Sequence, residues 1–300
     1  MKLLSVAALL RQALVLCCVL LCAAVQARDI APLRYRIVTA DQSQLTQRIR
    51  ADLEKRMAQV YGGLRVTQTG GARKRVVVAV GPAALRQVIA RPCDCVVIGA
   101  YTSSQVWHAI TRGVPRERLL DMTAIFAEPA PADQMQLISL LFKKKRVRVG
   151  TLLSRDTLYL RPLLTGVTDL QVYEPGADLL RVLGNMNQAR VLLAMPDQTV
   201  YTAENIRNIL LATYRLNQAV IGFSADMVRA GALASTYSDL VHINAHIADL
   251  AGEYLDTGEL AAPQFPRYFS TIVNEGVARS LDVQVDYKVR RVSQHPLKRP

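Results

Sequence analysis

The chain has 300 residues, of which 51% are hydrophobic and 20% are charged, and its formal net charge is +13. Beyond its first residues no stretch is apolar enough to span a membrane, so we expect the mature protein to be soluble and exported. The length allows one large domain or two medium domains, each with its own core.

The N-terminus has the three parts of a secretory signal peptide. Lys2 and Arg11 give a basic start, an apolar run (ALVLCCVLLCAA) follows, and the triplet VQA that ends at Ala27 is a small-x-small cleavage site. We therefore predict a cleaved signal peptide at residues 1–27 and a periplasmic mature protein. The alternatives are an uncleaved anchor and a lipid on Cys22, which the bulky preceding leucine disfavours.

The positive charge bears on the choice of partner. Removing the two charges of the signal peptide from +13 leaves +11 on the mature chain. Because an exported protein rarely meets nucleic acid, we expect no nucleic-acid partner, and attraction toward acidic envelope surfaces or an anionic ligand is the better functional interpretation. A solvated surface that happens to be basic is the preferred interpretation overall. Five positive charges lie near the C-terminus, at Lys288, Arg290, Arg291, Lys298 and Arg299.

Strand-like and helix-like segments alternate through the first half. The run RVVVAV at Arg75–Val80 is continuously apolar and β-branched, as in a parallel strand that is buried on both faces. Leucine, isoleucine and methionine recur every four residues between residues 43 and 60, which predicts a helix. The other predicted elements are strands at residues 34–40, 95–99 and 122–127 and helices at residues 81–89 and around Trp107.

A proline-rich break separates the two halves. Residues 127–133 (AEPAPAD) contain two prolines and two acids, and we interpret them as a crossover between lobes. The alternation of strands and helices implies βαβ units and parallel sheets, so two such runs predict two Rossmann-like lobes with a cleft between them. In the second half we predict strands at residues 147–153, 170–173, 191–195, 219–223, 266–273 and 283–292, and helices at residues 134–142, 158–164, 177–185, 202–217, 240–255 and 275–281.

Cys93 and Cys95 are the cysteines that remain after cleavage. In a strand they share a face, so their thiols would be neighbours. A disulfide across one residue is strained unless the backbone turns there, and two cysteines alone make a poor zinc site. An unbridged structural pair, a disulfide, and a redox or metal role all stay open, in that order of preference.

The strand ends supply candidate ligand-binding residues. In open α/β sheets ligands bind beyond the C-terminal ends of strands, and free N–H groups at the following helix N-termini can hold an anion. Taken singly, each such residue has an ordinary helix cap as its alternative. The candidates at these ends are Gly81, Pro82, Ala83, Tyr101, Thr102, Ser154, Asp197, Thr202, Phe223 and Ser224.

The second half also carries a set of motifs with a family likeness. A strand ends in Met195-Pro196-Asp197, and the segment VRAGALAS follows, with Asp239 after it. Val273-Asn274 is then followed by Ala278 and Leu281. These elements resemble the extracytoplasmic substrate-binding proteins of a family of ABC transporters whose better-known members take up tryptophan or tyrosine. The first half matches more weakly, through VGPAA at residues 80–84.

The resemblance implies a type I periplasmic binding protein fold, with three crossings between lobes and a ligand in the cleft. It implies binding of a small organic solute, an ABC permease of the inner membrane as partner, and neither enzymatic activity nor a cofactor. It also implies that Gly231 lies at the site and that residues 231–255 return to lobe 1. The resulting domains are residues 28–128 with about 228–260 as lobe 1, residues 129–227 with about 261–292 as lobe 2, and a basic tail at residues 293–300.

The sequence departs from the family pattern in lobe 1. Residues 99–103 (GAYTS) replace the usual D-P strand end, the Gly-Asn-x-Thr-Gly element is missing near residue 121, and Asn244 replaces a glycine. The ligand identity therefore does not carry over. We expect Asp197 to accept hydrogen bonds from a ligand amine or hydroxyl, with stabilisation of its own turn as the alternative. A binding-protein-like sensor or assembly subunit that acts through a protein partner is the alternative function.

Two further patterns are weaker. His242 and His246 share a helix face, but two histidines without a third ligand do not make a zinc site, so we expect surface histidines and no metal. Residues 222–226 (GFSAD) resemble a nucleophile elbow without its last glycine, and no base accompanies them. An α/β hydrolase is thus the third choice, and we expect no catalytic residue.

Overall fold

The computed structural model describes residues 35–63, 73–143 and 147–296, so the predicted signal peptide lies outside the described residues. The described residues form two β-sheets, each covered by helices on both faces. The predicted α/β class with two lobes is confirmed. None of the helices within these residues has both the length and the hydropathy that a bilayer crossing requires.

The sheet of lobe 1 has four parallel strands in the order β1-β2-β3-β4. These strands are β1 (Tyr35–Thr39), β2 (Arg75–Val80), β3 (Cys95–Thr102) and β4 (Met122–Phe126). The helices that cover this sheet are α1 (Gln44–Gly63), α2 (Pro82–Ile89), α3 (Ser104–Thr111), α4 (Arg116–Leu119) and α9 (Leu240–Thr257).

The run RVVVAV explains why this sheet is covered on both sides. Side chains alternate across a strand. Val76 and Val78 therefore pack toward α1 and α9, whereas Val77 and Ala79 pack toward α2 and α3. A strand that is apolar on both faces is shielded from water only when helices cover both faces. This requirement explains why helices lie on both sides of the sheet.

The sheet of lobe 2 has six strands in the order β10-β9-β8-β7-β5-β6, and only the pairing of β10 with β9 is antiparallel. These strands are β5 (Val149–Leu153), β6 (Asp169–Val172), β7 (Val191–Leu193), β8 (Ala219–Ile221), β9 (Ala234–Tyr237) and β10 (Ser270–Val273). The chain moves from β5 outward to β6 and then back past β5 to β7, so the strand order reverses between β5 and β7.

The helices of lobe 2 are α5 (Pro131–Leu141), a 3₁₀ helix (Arg155–Leu163), α6 (Leu179–Asn185), α7 (Ala203–Arg215), α8 (Ala225–Ala230), α10 (Glu275–Ser280) and α11 (Tyr287–Arg290). The buried polar side chain of Gln134 joins α5 to the sheet. Its amide donates to the carbonyl of Gly222 at 2.5 Å and accepts the N–H of Thr236 at 2.9 Å.

We propose that three stretches of chain link the lobes: residues 127–130, residues 238–239 and residues 258–269. The resemblance implied that residues 231–255 lie in lobe 1. Strand β9 instead pairs with β8 and β10 in lobe 2, and the return to lobe 1 begins with α9. We therefore propose that the second crossing falls at residues 238–239, about ten residues later than the boundary near residue 228.

The segment 283–292 differs from the predicted strand. Its alternating valines suggested a strand, but the carboxylate of Asp286 accepts the N–H groups of Lys288 and Val289, which starts the short helix α11. Val289 is fully buried by this turn. The local cap outweighs the alternating pattern because it provides acceptors for N–H groups that a strand would have to pair elsewhere.

Two side-chain expectations also change. Cys93 and Cys95 form a disulfide, which was the second of the three alternatives, and the guanidinium of Arg118 donates to Cys93 Sγ at 3.2 Å. His242 and His246 are buried, so the expectation of surface histidines is wrong. Helix α9 packs on α1 on one side, and the later chain covers its other side, where the N–H of Arg267 donates to His246 Nδ1 at 3.1 Å.

Candidate functional site

The reversal of strand order between β5 and β7 places two candidate residues side by side. Ser154 directly follows β5, and Asp197 follows β7 by four residues. The N–H of Ser154 donates to Asp197 Oδ2 at 2.7 Å. The reversal point of an open α/β sheet is where ligands bind, because the loops of the two strands diverge there.

The carboxylate of Asp197 is buried, with 3% exposure, and is occupied by its own lobe. Oδ2 also accepts the hydroxyl of Thr157 at 2.5 Å. Oδ1 accepts the N–H groups of Thr199 at 2.9 Å and Val200 at 3.1 Å. Four donors on two oxygens leave no acceptor for a solute. The contacts therefore support the alternative in which Asp197 stabilises its turn, and not the role of ligand acceptor.

Glu128 occupies the corresponding position in lobe 1, two residues after β4 ends. Its side chain is 2% exposed, and Oε1 accepts the N–H of Ser104 at 2.8 Å. Oε2 finds no hydrogen-bond partner among the described residues. Burial raises the pKa of Glu128, and hydrogen bonds from Ser104 oppose the shift. From the sequence we interpreted this acid only as part of the crossover, although an acid two residues after an apolar strand was the available signal.

Direct contacts hold the two lobes together at these strand ends. Ser104 Oγ lies 2.7 Å from the hydroxyl of Tyr159 in lobe 2. The N–H of Gln198 in lobe 2 donates to Gln105 Oε1 in α3 at 2.8 Å. The ring of His108 lies 4.3 Å from that of Tyr159, centroid to centroid. The lobes are therefore closed on each other.

Tyr159 connects the two acids electrostatically. Its pKa is raised to about 12, first by burial and then by the charges of Glu128 and Asp197, while the hydrogen bond to Ser104 opposes the shift. The same hydroxyl contacts Ser104 of lobe 1, so the strand ends of the two lobes lie close to each other.

Of the buried hydroxyls that lack partners within the described part of the chain, two lie at the strand ends of lobe 2: Ser154 Oγ and the hydroxyl of Tyr201. Burial raises the pKa of Tyr201, and the charge of Asp197 adds to the shift. We define the interlobe site as Glu128, Ser154, Tyr159 and Tyr201. It offers one carboxylate oxygen and hydroxyls that either donate or accept, which suits a small polar molecule.

The predicted residues Gly81, Pro82 and Ala83 lie, as expected, between the end of a strand and the first turn of α2. Gly81 has φ 85°, and its N–H donates to the carbonyl of Ala100 at 2.8 Å. Pro82 and Ala83 form the first turn, and no side chain caps the helix. The N-terminal N–H groups of α2 therefore lie at the strand-end edge of lobe 1 without a side-chain acceptor.

Tyr101 and Thr102 point elsewhere. Tyr101 has φ 56°, and this turn sends its side chain toward α9, where its hydroxyl donates to Asn244 Oδ1 at 2.8 Å. Thr102 is buried, and its hydroxyl donates to the carbonyl of Ala100 at 3.3 Å. The structure gives both residues roles inside lobe 1.

The remaining predicted residues of lobe 2 cap helices or pack against neighbouring side chains. Thr202 and Ser224 accept N–H groups at the starts of α7 and α8. The ring of Phe223 meets Tyr201 edge-on at 5.6 Å, which places it beside the interlobe site. Gly231, with φ 126°, ends α8 and precedes β9, so it lies at the opposite edge of the sheet from the strand ends of the candidate site.

Cavities are found away from these strand ends. One of about 400 Å³ lies between α1 and α9, beside Asp52 and Ala245. Cavities of about 460 Å³ and 500 Å³ lie on the outer side of lobe 2, near Phe142 and Tyr287 respectively. Among the residues that the structure describes, no cluster of three or more His, Cys, Asp or Glu side chains has the arrangement of a metal site.

Solved structures share this fold. A ligand-free, open substrate-binding protein with adhesive properties from Clostridium difficile is 12% identical, with TM-score 0.57, and the match covers 85% of this chain and 97% of that one. An ABC domain in complex with L-Trp from Streptococcus pneumoniae is 13% identical, with TM-score 0.52 and coverage of 88% and 99%. A conserved domain protein from Vibrio cholerae is 16% identical, with TM-score 0.52 and coverage of 85% and 95%.

These matches confirm the expected type I periplasmic binding protein fold. No protein-family model matches the sequence, and no curated protein matches it. At 12–16% identity the similarity concerns the fold. Function has to be argued from the site.

Proposed function

We propose that the protein is the extracytoplasmic substrate-binding subunit of an ABC transporter and that it binds a small organic solute between its lobes. The observation that carries this proposal is that buried polar atoms without partners among the described residues lie at the facing strand ends, on Glu128 in lobe 1 and on Ser154 and Tyr201 in lobe 2. A buried polar group without a hydrogen bond costs about 1–3 kcal/mol. A solute with complementary groups recovers that free energy only when both lobes surround it.

The contacts between lobes support a mechanism of opening and closing. A solute enters only after the bonds from Ser104 to Tyr159 and from Gln105 to Gln198 open. The three crossings carry the hinge, and a closed complex then presents both lobes to the permease. Closure by few polar contacts suits this role, because each contributes only about 0.5–1.5 kcal/mol net.

One observation favours the second candidate, a binding-protein-like sensor or assembly subunit. The lobes already close through their own side chains, and helices α6 and α7 carry Leu180, Leu211 and Tyr214, each more than half exposed. Exposed apolar side chains of this kind suit a protein partner. This role would use the outside of lobe 2 and leave the interlobe site unoccupied.

Calorimetry with amino acids, sugars and related solutes distinguishes the two candidates. A solute that binds wild type and binds more weakly to Ser154→Ala and Tyr201→Phe supports solute binding between the lobes. Ser293→Ala and Tyr287→Phe are matched controls, because both residues are exposed. Binding of a purified envelope protein that Leu211→Ser abolishes, with no solute bound, would favour the second candidate.

Export is part of the same proposal, and its support is the predicted signal peptide. Mass spectrometry of the envelope fraction should find a mature N-terminus at Arg28. A chain that retains Met1 in the membrane fraction would contradict cleavage.

A further inference from the structure

The buried charged groups of the interlobe region are acidic. Glu128 and Asp197 are 2% and 3% exposed. No lysine or arginine within residues 35–63, 73–143 and 147–296 is buried. At the outer edge of the contact between lobes, Arg112 lies 3.7 Å from Asp156, and the Arg112 side chain is 75% exposed. An anionic solute would therefore meet two buried acids and no buried cationic side chain.

The two acids differ in whether their carboxylate oxygens already have hydrogen-bond partners. Asp197 accepts four hydrogen bonds from its own lobe, whereas Glu128 accepts the N–H of Ser104 on Oε1 and leaves Oε2 buried without a partner among the described residues. A buried carboxylate is stable when a cation or several donors face it. An ammonium group supplies both a positive charge and three N–H donors.

The hydroxyls of the site fit the rest of such a solute. Ser154 and Tyr201 lie beside Asp197, which acts on Tyr201 through its charge. The negative charge of Asp197 disfavours a carboxylate group of the solute near these hydroxyls. They suit neutral polar groups, to which a hydroxyl either donates or accepts.

We infer that the solute carries a protonated amine and that Glu128 binds this group in the closed protein. The inference rests on the solute-binding function proposed above. Because Glu128 lies in the crossing at residues 127–130, the bound ammonium contacts a hinge segment directly. Binding the cation thereby joins the solute to the segment that must move when the lobes open.

Matched probes test this inference by calorimetry. One set is tryptamine, L-tryptophan, tryptophol and indole-3-propionate, and a smaller set is isobutylamine, L-valine, isobutanol and isovalerate. Within each set the apolar part is shared, and the ammonium group is present in the first two compounds only. We expect ammonium-bearing members of at least one set to bind at least tenfold more tightly than the alcohol and the acid.

The variant Glu128→Gln separates charge recognition from a structural role. Glutamine keeps an acceptor for Ser104 and removes the charge, so we expect affinity for the amine to fall at least tenfold. Glu117→Gln is the matched control, because Glu117 is exposed on α4 of the same lobe. Far-ultraviolet circular dichroism checks that each variant is folded. If Glu128→Gln does not fold, the comparison of probes on wild type still decides the question.

The outcomes distinguish this inference from the proposed function. Binding of the alcohol or the acid as tight as that of the amine, or unchanged affinity in folded Glu128→Gln, overturns the ammonium inference and leaves solute binding intact. Tight binding of the acid would point instead to the uncapped N-terminus of α2. If no member of either set binds to wild type, the ammonium inference is overturned, and the wider solute screen that includes sugars decides separately whether a solute binds between the lobes.

Discussion

The backbone N–H of Ser154 donates to Oδ2 of Asp197 at 2.7 Å, and this bond joins two strand ends where the order of the lobe 2 sheet reverses. The same carboxylate holds three more donors, from Thr157, Thr199 and Val200. The geometry of the reversal point therefore depends on one buried anion.

Asp197→Ala should destabilise the protein by about 3–5 kcal/mol, because four donors lose their acceptor and at least the buried ones are left unpaired. Urea unfolding followed by circular dichroism measures the change. Asp178→Ala is the control, since Asp178 caps α6 at the surface through two N–H groups and should cost about 1 kcal/mol. Equal losses for the two variants would show that Asp197 does not organise the reversal point.

Gln134→Met should cost about 2–4 kcal/mol. Methionine has a similar size, but it leaves the N–H of Thr236 without its acceptor and removes the donor to Gly222. Gln136→Met, on the exposed side of the same helix, should lie within about 0.5 kcal/mol of wild type. Denaturant midpoints at constant slope give both values, and a Gln134→Met protein as stable as the control would rule out the bridging role.

Stability should depend on pH through Glu128. Its pKa is raised by burial, so the native state binds a proton that the unfolded state has already released. The contribution of Glu128 to the unfolding free energy should therefore be highest at low pH and fall as pH rises from the unfolded pKa of this group through its native pKa, by at most about 1.4 kcal/mol per pH unit. Glu128→Gln should lack this component, and its stability relative to wild type should increase with pH. A constant difference across pH 4–8 would contradict a raised pKa.

Tyr159→Phe should loosen the closed arrangement without unfolding either lobe. The substitution removes the hydroxyl that contacts Ser104 and keeps the ring beside His108, so we expect less than about 1.5 kcal/mol of lost stability. Small-angle X-ray scattering of the solute-free protein should give a larger radius of gyration than wild type. Tyr287→Phe, which is exposed on α11, should leave it unchanged. An identical radius for all three proteins would show that this contact does not hold the lobes together.

Much of the fold could be predicted because its signals are local. The β-branched run at Arg75–Val80 and the four-residue periodicity of α1 correspond to elements of the structure. The proline-rich segment after β4 leads from the first sheet into α5, and the crossing between lobes that we propose there stays a prediction. The prediction of a strand at residues 283–292 was wrong, because alternating valines fit either a strand or a capped turn. The choice depends on Asp286, whose side chain accepts nearby N–H groups.

The candidate site was less predictable, because strand ends reveal position but not side-chain direction. The positive φ of Tyr101 turns its ring to α9, and no pattern in the sequence encodes that turn. Asp197 was placed at the correct edge, but its four donors are brought together only by the folded loops. Glu128 was missed because its importance arises from burial between lobes, which depends on residues far away in the sequence.

Thermal unfolding of the purified chain with single solutes tests solute binding between the lobes most directly. At a concentration one hundred times its Kd, a solute should stabilise the protein by about 2.7 kcal/mol. For a chain of this size that corresponds to a rise in Tm of about 5–11 °C. We expect such a rise with at least one small polar solute, and a smaller rise in the Glu128→Gln variant. No rise with any solute, across amines, amino acids, sugars and acids, would contradict the account.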